Sequence, residues 1–188
     1  MTDKNFKSYR GKILISNSSI ITDDFNKSLV LMIEHDEEGA FGLVINKQSH
    51  LTIFDAIAGV SKEATQNMQM FWGGPVDQSF ITILHQTPNL KNESSIEILS
   101  GVFLSRSYEL LMELISSQES NFCVFHGYSS WGAGQLESEF QRKSWVPHDA
   151  KVEFIFEKQS EEAWREALKS KGGIYKYFAE HTKDPLLN

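Results

Sequence analysis

The chain contains one cysteine, Cys123, so it can form no internal disulfide and carries no cysteine framework for zinc. A reducing compartment fits that usage. Proline is scarce, with 4 residues, and no Pro-rich linker or low-complexity segment divides the sequence. Long apolar runs are missing too. The longest, such as Leu29 to Ile33, fall far short of the roughly 20 residues that span a bilayer, and the opening M-T-D-K-N-F-K-S-Y-R has no apolar signal core. A cytoplasmic protein with no membrane partner is expected. Positive charge is short as well: 18 Lys and Arg stand against 25 Asp and Glu, a formal charge of −7. That is the wrong sign for whole-surface attraction to nucleic acid. The basic groups at Lys4, Lys7, Arg10 and Lys12, at Arg142-Lys143, and at Lys169 with Lys171 are small and interrupted, as on solvated faces.

What is present suits one domain over residues 1–188, with loose ends expected at about 1–8 and 181–188. Apolar residues make up 40% and charged residues 23%, a globular composition. Lys12 to Ile15 reads as a first strand, followed by a polar loop over Asn17 to Asn26 anchored by Phe25. Leu29 to Glu34 and Phe41 to Asn46 read as a hairpin about H-D-E-E-G, where Gly39 can take a positive φ. The acidic tip resembles a calcium loop only superficially, since the alternating ligand spacing is missing. Thr52 and Asp55 form a variant capping box that opens a helix through Ala58, ended by Gly59. Met70 to Gly73, then Gly74-Pro75, then Phe80 to His85 reads as strand, sharp turn, strand. Pro88 to Ser95 is a polar loop. Ile96 to Leu99 pairs with Val102 to Leu104 about Ser100-Gly101.

Further along, Ser107 is an N-cap with Glu109 in the first turn, and Leu110, Leu111, Leu114 and Ile115 form the buried face of that helix. Phe122 to Phe125 is a buried strand that makes Cys123 a core residue. Trp145 to Pro147 and Val152 to Phe156 are expected to continue the sheet. Ser160 caps a late helix that turns Trp164, Ala167 and Leu168 inward, Gly172-Gly173 breaks it, and Ile174 to Ala179 adds a short helical turn. Strands come in antiparallel groups rather than βα repeats, so the class is α+β.

The stretch N-F-C-V-F-H-G-Y-S-S-W-G-A-G-Q-L-E-S-E-F (Asn121 to Phe140) departs furthest from ordinary globular sequence, and its order predicts strand, Gly-rich turn, helix. Gly132 and Gly134 have two readings. They leave N–H groups accessible at a helix start, where anions bind, or they give Trp131 room to fold back on the core. The second is preferred, because no phosphate-binding lysine accompanies them. On the helix, Ala133, Leu136 and Phe140 share the core face, and Glu139 is placed to pair with Arg142 or Lys143 on the surface. Gln135 and Glu137 are the better polar candidates, with a capping or tethering hydrogen bond as the bland role for Glu137. The G-G-P turn at Gly73 and Gly74 is read as architectural, the alternative being close approach of a ligand. His85 and His126 end predicted strands and could share a cleft with Glu137 as a base or ligand set. Neither metal spacing nor G-x-S-x-G is present.

Taken together, G-K-I-L-I-S (Gly11 to Ser16), V-L-M-I-E-H-D-E-E-G-A-F-G-L-V-I-N (Val30 to Asn46), F-W-G-G-P-V (Phe71 to Val76), Leu84-His85, G-Y-S-S-W-G-A-G-Q-L-E-S-E-F (Gly127 to Phe140), Trp145 and Trp164 to Leu168 resemble the AlgH/YqgE family of bacterial proteins over nearly the whole chain. The resemblance implies one α+β domain with a strongly curved, barrel-like, mainly antiparallel sheet flanked by helices, in the bacterial cytoplasm. It implies little about activity; the label attached to that family, transcriptional regulator, comes from an association with alginate regulation and not from a DNA-binding motif. Family motif positions carried onto this chain are Asn46, Gly73, Gly74, Pro75, His85, Gly127, Trp131, Gly134, Gln135, Glu137 and Glu139. The chain departs from the family pattern at Ser16-Asn17-Ser18, where the family has A-x-P, and at Asn46-Lys47-Gln48, where it has Asn-Arg-Pro.

The expectation drawn from all this is a non-enzymatic binding or regulatory domain. Its site would comprise Asn46, Gly73, Gly74, His85, His126, Trp131, Gly134, Gln135 and Glu137. The partner would be a small molecule or another protein, with no cofactor and no metal, and nucleic acid is disfavoured by charge. The alternatives are a regulator touching DNA directly and a hydrolase or metal-assisted enzyme using His85, His126 and Glu137.

Overall fold

A computed structural model describes residues 6–17, 24–90, 95–119, 121–158 and 160–181. Most of the expected loop at Asn17 to Asn26, half of that at Pro88 to Ser95, and the two extreme ends lie outside these residues. Among the described residues there are ten strands: β1 (Lys12–Ser16), β2 (Leu29–Asp36), β3 (Gly39–Val44), β4 (Gln48–Thr52), β5 (Gln69–Trp72), β6 (Val76–His85), β7 (Ile96–Leu99), β8 (Val102–Ser105), β9 (Phe122–Gly132) and β10 (Trp145–Asp149). They form one sheet in the order β10-β1-β2-β3-β9-β6-β8-β7, with β5 also paired to β9 and β4 to β5. Every pairing is antiparallel except that of β5 with β9. The result is a curled antiparallel half-barrel in a single α+β domain.

The sheet is apolar on both faces, which explains why its strands read as unbroken hydrophobic runs. Along β1, Ile13 and Ile15 enter one cluster while Leu14 enters another on the opposite side. The first cluster, with Leu31, Leu43 and Phe125, is closed by α5 (Val152–Phe156), α6 (Glu161–Lys171) and α7 (Gly173–His181) through Phe154, Ile155, Trp164 and Ala179. The second, with Val30, Val44, Trp131 and Trp145, is covered by α4 (Gln135–Gln141) through Leu136. A third, around Met70, Ile83 and Val124, receives α3 (Tyr108–Ser116) and α1 (Ile53–Ala56).

Local signals place several of these elements. Thr52 and Asp55 form the expected reciprocal capping box, although α1 stops at Ala56. Ser107 accepts from the Leu110 N–H, and Leu110, Leu111, Leu114 and Ile115 are the buried face of α3. Ser160 stands at the N-cap of α6 without a side-chain capping bond. The short α2 (Lys62–Thr65) has no counterpart in the sequence reading. Phe6, at the expected loose end, packs its ring 4.9 Å from that of His35.

Two expectations are overturned. Val152 to Phe156 is α5 rather than a strand. Its neighbours Phe154 and Ile155 are both buried in one cluster, and consecutive side chains can share a face in a helix but not in a strand. The turn expected after Phe125 is also displaced: β9 runs on through His126, Gly127 and the serines to Gly132. It pairs first with β5 and β6, then with β3.

Candidate functional site

Gly127 marks the place where β9 changes partners. Its φ is +68°, and a Cβ there would lie 2.5 Å from the Gly74 oxygen. Gly74, at φ +150°, would place a Cβ 2.3 Å from the Tyr128 carbonyl. Two backbones therefore touch without side chains between them. Gly73 completes the contact, donating its N–H to the His126 oxygen at 2.8 Å and accepting from the Val44 N–H at 2.9 Å and from the buried Ser129 hydroxyl at 3.1 Å. These bonds give the G-G-P turn an architectural role. Asn46 is likewise consumed: its Oδ1 accepts from the Leu29 N–H at 2.7 Å, and its Nδ2 donates to the Lys27 and Ser160 oxygens.

The Gly-rich segment closes on its own carboxylate. Glu139 Oε2 accepts from the indole N–H of Trp131 at 2.9 Å and of Trp145 at 2.7 Å, while its Oε1 accepts from Gln135 Nε2 at 3.1 Å. Gln135 Oε1 in turn accepts from the Gly132 N–H at 3.1 Å. The surface ion pair expected between Glu139 and Arg142 or Lys143 is absent among the described contacts, because two buried indoles claim the carboxylate first. Trp131 is folded into the core as expected, yet the glycines do not make room for it. A Cβ on Gly132 or Gly134 would meet nothing within 4 Å, and Gly134 is needed for its φ of +73° at the start of α4.

Glu137 has a different partner. The β2–β3 register slips between Met32 and Glu34, so the extra residue, Ile33, reverses the alternation of β2 beyond it. His35 then falls opposite Ala40, on the face that carries Trp131 and Leu136. There its Nδ1 accepts the Tyr9 N–H at 3.0 Å, which leaves the ring proton on Nε2, and Nε2 donates to Glu137 Oε1 at 2.8 Å. The His35 side chain is 1% exposed and that of Glu137 is 41% exposed. Glu137 Oε2 accepts no hydrogen bond among the described residues. The carboxylate stands on the wall of a cleft of about 620 Å³ lined also by Phe6, Lys7, Tyr9, Glu37, Gly134 and Phe140. Tyr9 and Phe140 stack there at 4.4 Å.

The other two histidines lie elsewhere. His85, fully buried, shares its Nδ1 with the Thr87 hydroxyl at 2.8 Å and rests against Phe103. His126 Nε2 meets the Ser49 hydroxyl at 2.8 Å in a second cleft of about 370 Å³ with Lys47 and Trp72. His85 pairs with Phe122 in the β6–β9 ladder, four residues from His126 along β9, or ~13 Å at the usual strand rise. Glu137 contacts neither. Burial holds both imidazoles below their ordinary basicity, with a hydrogen bond to Thr87 opposing this at His85. One nitrogen of each, His85 Nε2 and His126 Nδ1, is buried without a partner among the described residues. The shared cleft on which the enzyme alternative depended, of His85, His126 and Glu137, does not form, and among the described residues no three His, Cys, Asp or Glu side chains gather as a metal set.

Comparison with known proteins places this geometry. A family model for AlgH-like proteins matches residues 13–176. The chain belongs to the AlgH-like family. A UPF0301 protein of Chlorobaculum tepidum is 34% identical over 181 residues, covering 95% of each chain. A UPF0301 protein of Cytophaga hutchinsonii is 35% identical over 182 residues, covering 95% of this chain and 98% of its own. The solution structure of AlgH from Pseudomonas aeruginosa matches with a TM-score of 0.78 at 25% identity, over 98% of this chain and all of that one. A Corynebacterium diphtheriae protein shares the fold, with a TM-score of 0.75 at 19% identity over 94% of each. None of these names states an activity.

In this AlgH-like chain, the sequence reading named Glu137 and Gly134 of this candidate cleft but not Tyr9, which lines it, or His35, which holds Glu137. The available signal was weak: a polar pair, Glu34-His35, interrupts the apolar run of β2, and a bulge has no residue signature there. At the family's Asn-Arg-Pro position, Lys47 lies 5.6 Å from the Trp72 ring and donates to the Asp24 carbonyl.

Proposed function

We propose that this protein is a non-enzymatic, cytoplasmic ligand-binding or regulatory domain whose site is the cleft at Glu137. One observation carries the reading: a half-exposed carboxylate is held by a buried, tautomer-fixed histidine on the wall of a cleft in the size range of small-molecule sites. Surface carboxylates are ordinarily mobile; this one is oriented, as a binding group must be. Direct DNA contact draws no support from a formal charge of −7. A hydrolase built on His85, His126 and Glu137 draws none from their separation.

The test is the thermal stability of the purified protein against metabolites, nucleotides, divalent metals and duplex DNA, since whatever binds only the native state raises the melting temperature. A rise with a small molecule that is lost in Glu137→Gln is expected. Gln can still accept from His35, so this variant keeps the tether and removes only the charge. An equal rise in Glu137→Gln overturns the site, and a silent panel overturns the small-molecule reading in favour of a protein partner.

A further inference from the structure

The geometry points to a small organic ammonium ligand for the Glu137 cleft, an inference that rests on the binding reading above. A helix start near Gly134 suggests an anion site in sequence, but the chain has already answered that end of α4. Glu137 stands in its first turn, where a carboxylate offsets the helix dipole, and Gln135 takes the Gly132 N–H. An arriving anion would meet the Glu137 carboxylate on the cleft wall. A cation would meet that carboxylate, with the Tyr9 and Phe140 rings on the same cleft wall to pack against its organic part. The protein itself supplies a stand-in: the Lys7 ammonium lies 5.3 Å from the centre of the Tyr9 ring and lines the same cleft. Lys7 is thus the charge that a ligand ammonium competes with in this cleft.

Three probes of matched shape separate charge from shape: benzylammonium, benzyl alcohol and benzoate, each titrated into ¹⁵N-labelled protein while the amides of Gly134 and Glu137 are followed. Benzylammonium is expected to shift both and to bind at least about fivefold more tightly than the other two, the margin of a charge-assisted over a neutral hydrogen bond. Lys7→Gln should tighten benzylammonium roughly two- to fivefold, because an internal cation–π competitor is removed. Glu137→Gln should weaken it at least about fivefold. The spectra themselves report whether each variant is folded. Benzoate or benzyl alcohol binding equally well at these amides overturns the charge class while leaving the cleft reading intact. No shift from any probe also overturns the class, and the thermal panel then decides the cleft reading separately.

Discussion

Glu139 and Glu137 are two residues apart in sequence and do different work. Glu139 anchors two indoles and an amide. Glu139→Ala leaves those indole N–H groups without their acceptor and should cost about 2–4 kcal/mol in urea denaturation. A change within about 0.5 kcal/mol, the usual range for a surface position, would contradict that role. The histidines give a second expectation at this scale. Burial lowers the pKa of His85 and His126 from the ordinary 6.5, so on acidification the unfolded chain takes up protons before the native one does. Stability is therefore full above about pH 6.5 and declines as pH falls below it, until the native histidines titrate as well. Denaturation at pH 7.5 and 5.5 should show the decline, and His126→Gln should flatten it. Equal stability at the two values would contradict this account.

At the scale of elements, the G-G-P turn and the β2 bulge decide where the side chains go. Gly74→Ala drives a Cβ to 2.3 Å from the Tyr128 backbone, which no side-chain rotation relieves. A loss of more than about 3 kcal/mol, or failure to fold, is expected from circular dichroism and thermal melting. Ser107→Ala removes a single cap from α3 and should cost only ~1 kcal/mol. Elements that obey local rules were legible in the sequence: the β2–β3 hairpin, the Thr52 box, the Ser107 cap and the buried face of α3. Elements set by distant contacts were not. Val152 to Phe156 has strand composition, but its burial demand makes it a helix. Gly127 looks like a turn, yet it is a kink that lets one strand serve two sheet partners. The same division holds at the site. Glu137 stood out by its helical position, whereas His35 reaches it only because one extra residue in β2 reverses the facing of the strand, and that slip is written in the pairing with β3.

Over the whole molecule, Arg10 ties the curled sheet across its opening. Its Nε donates to the carbonyl of Ile33 in the bulge at 3.1 Å, and its Nη2 to the carbonyl of Glu97 in β7 at 3.0 Å. The bulge that aims His35 is thus tied to the far edge of the sheet. Arg10→Met should cost about 1 kcal/mol and speed amide exchange in β7 more than in β9; unchanged exchange in β7 would contradict the tie. The central claim is that ligands are met at the cleft where Glu137 is held by His35. Its most direct test is the amide chemical-shift map of the wild-type protein, titrated with whichever panel compound raises the melting temperature most. The account predicts shifts centred on Tyr9, His35, Gly134, Glu137 and Phe140. Shifts centred instead on Ser49, Trp72 and His126 would move the binding site to the second cleft and contradict it.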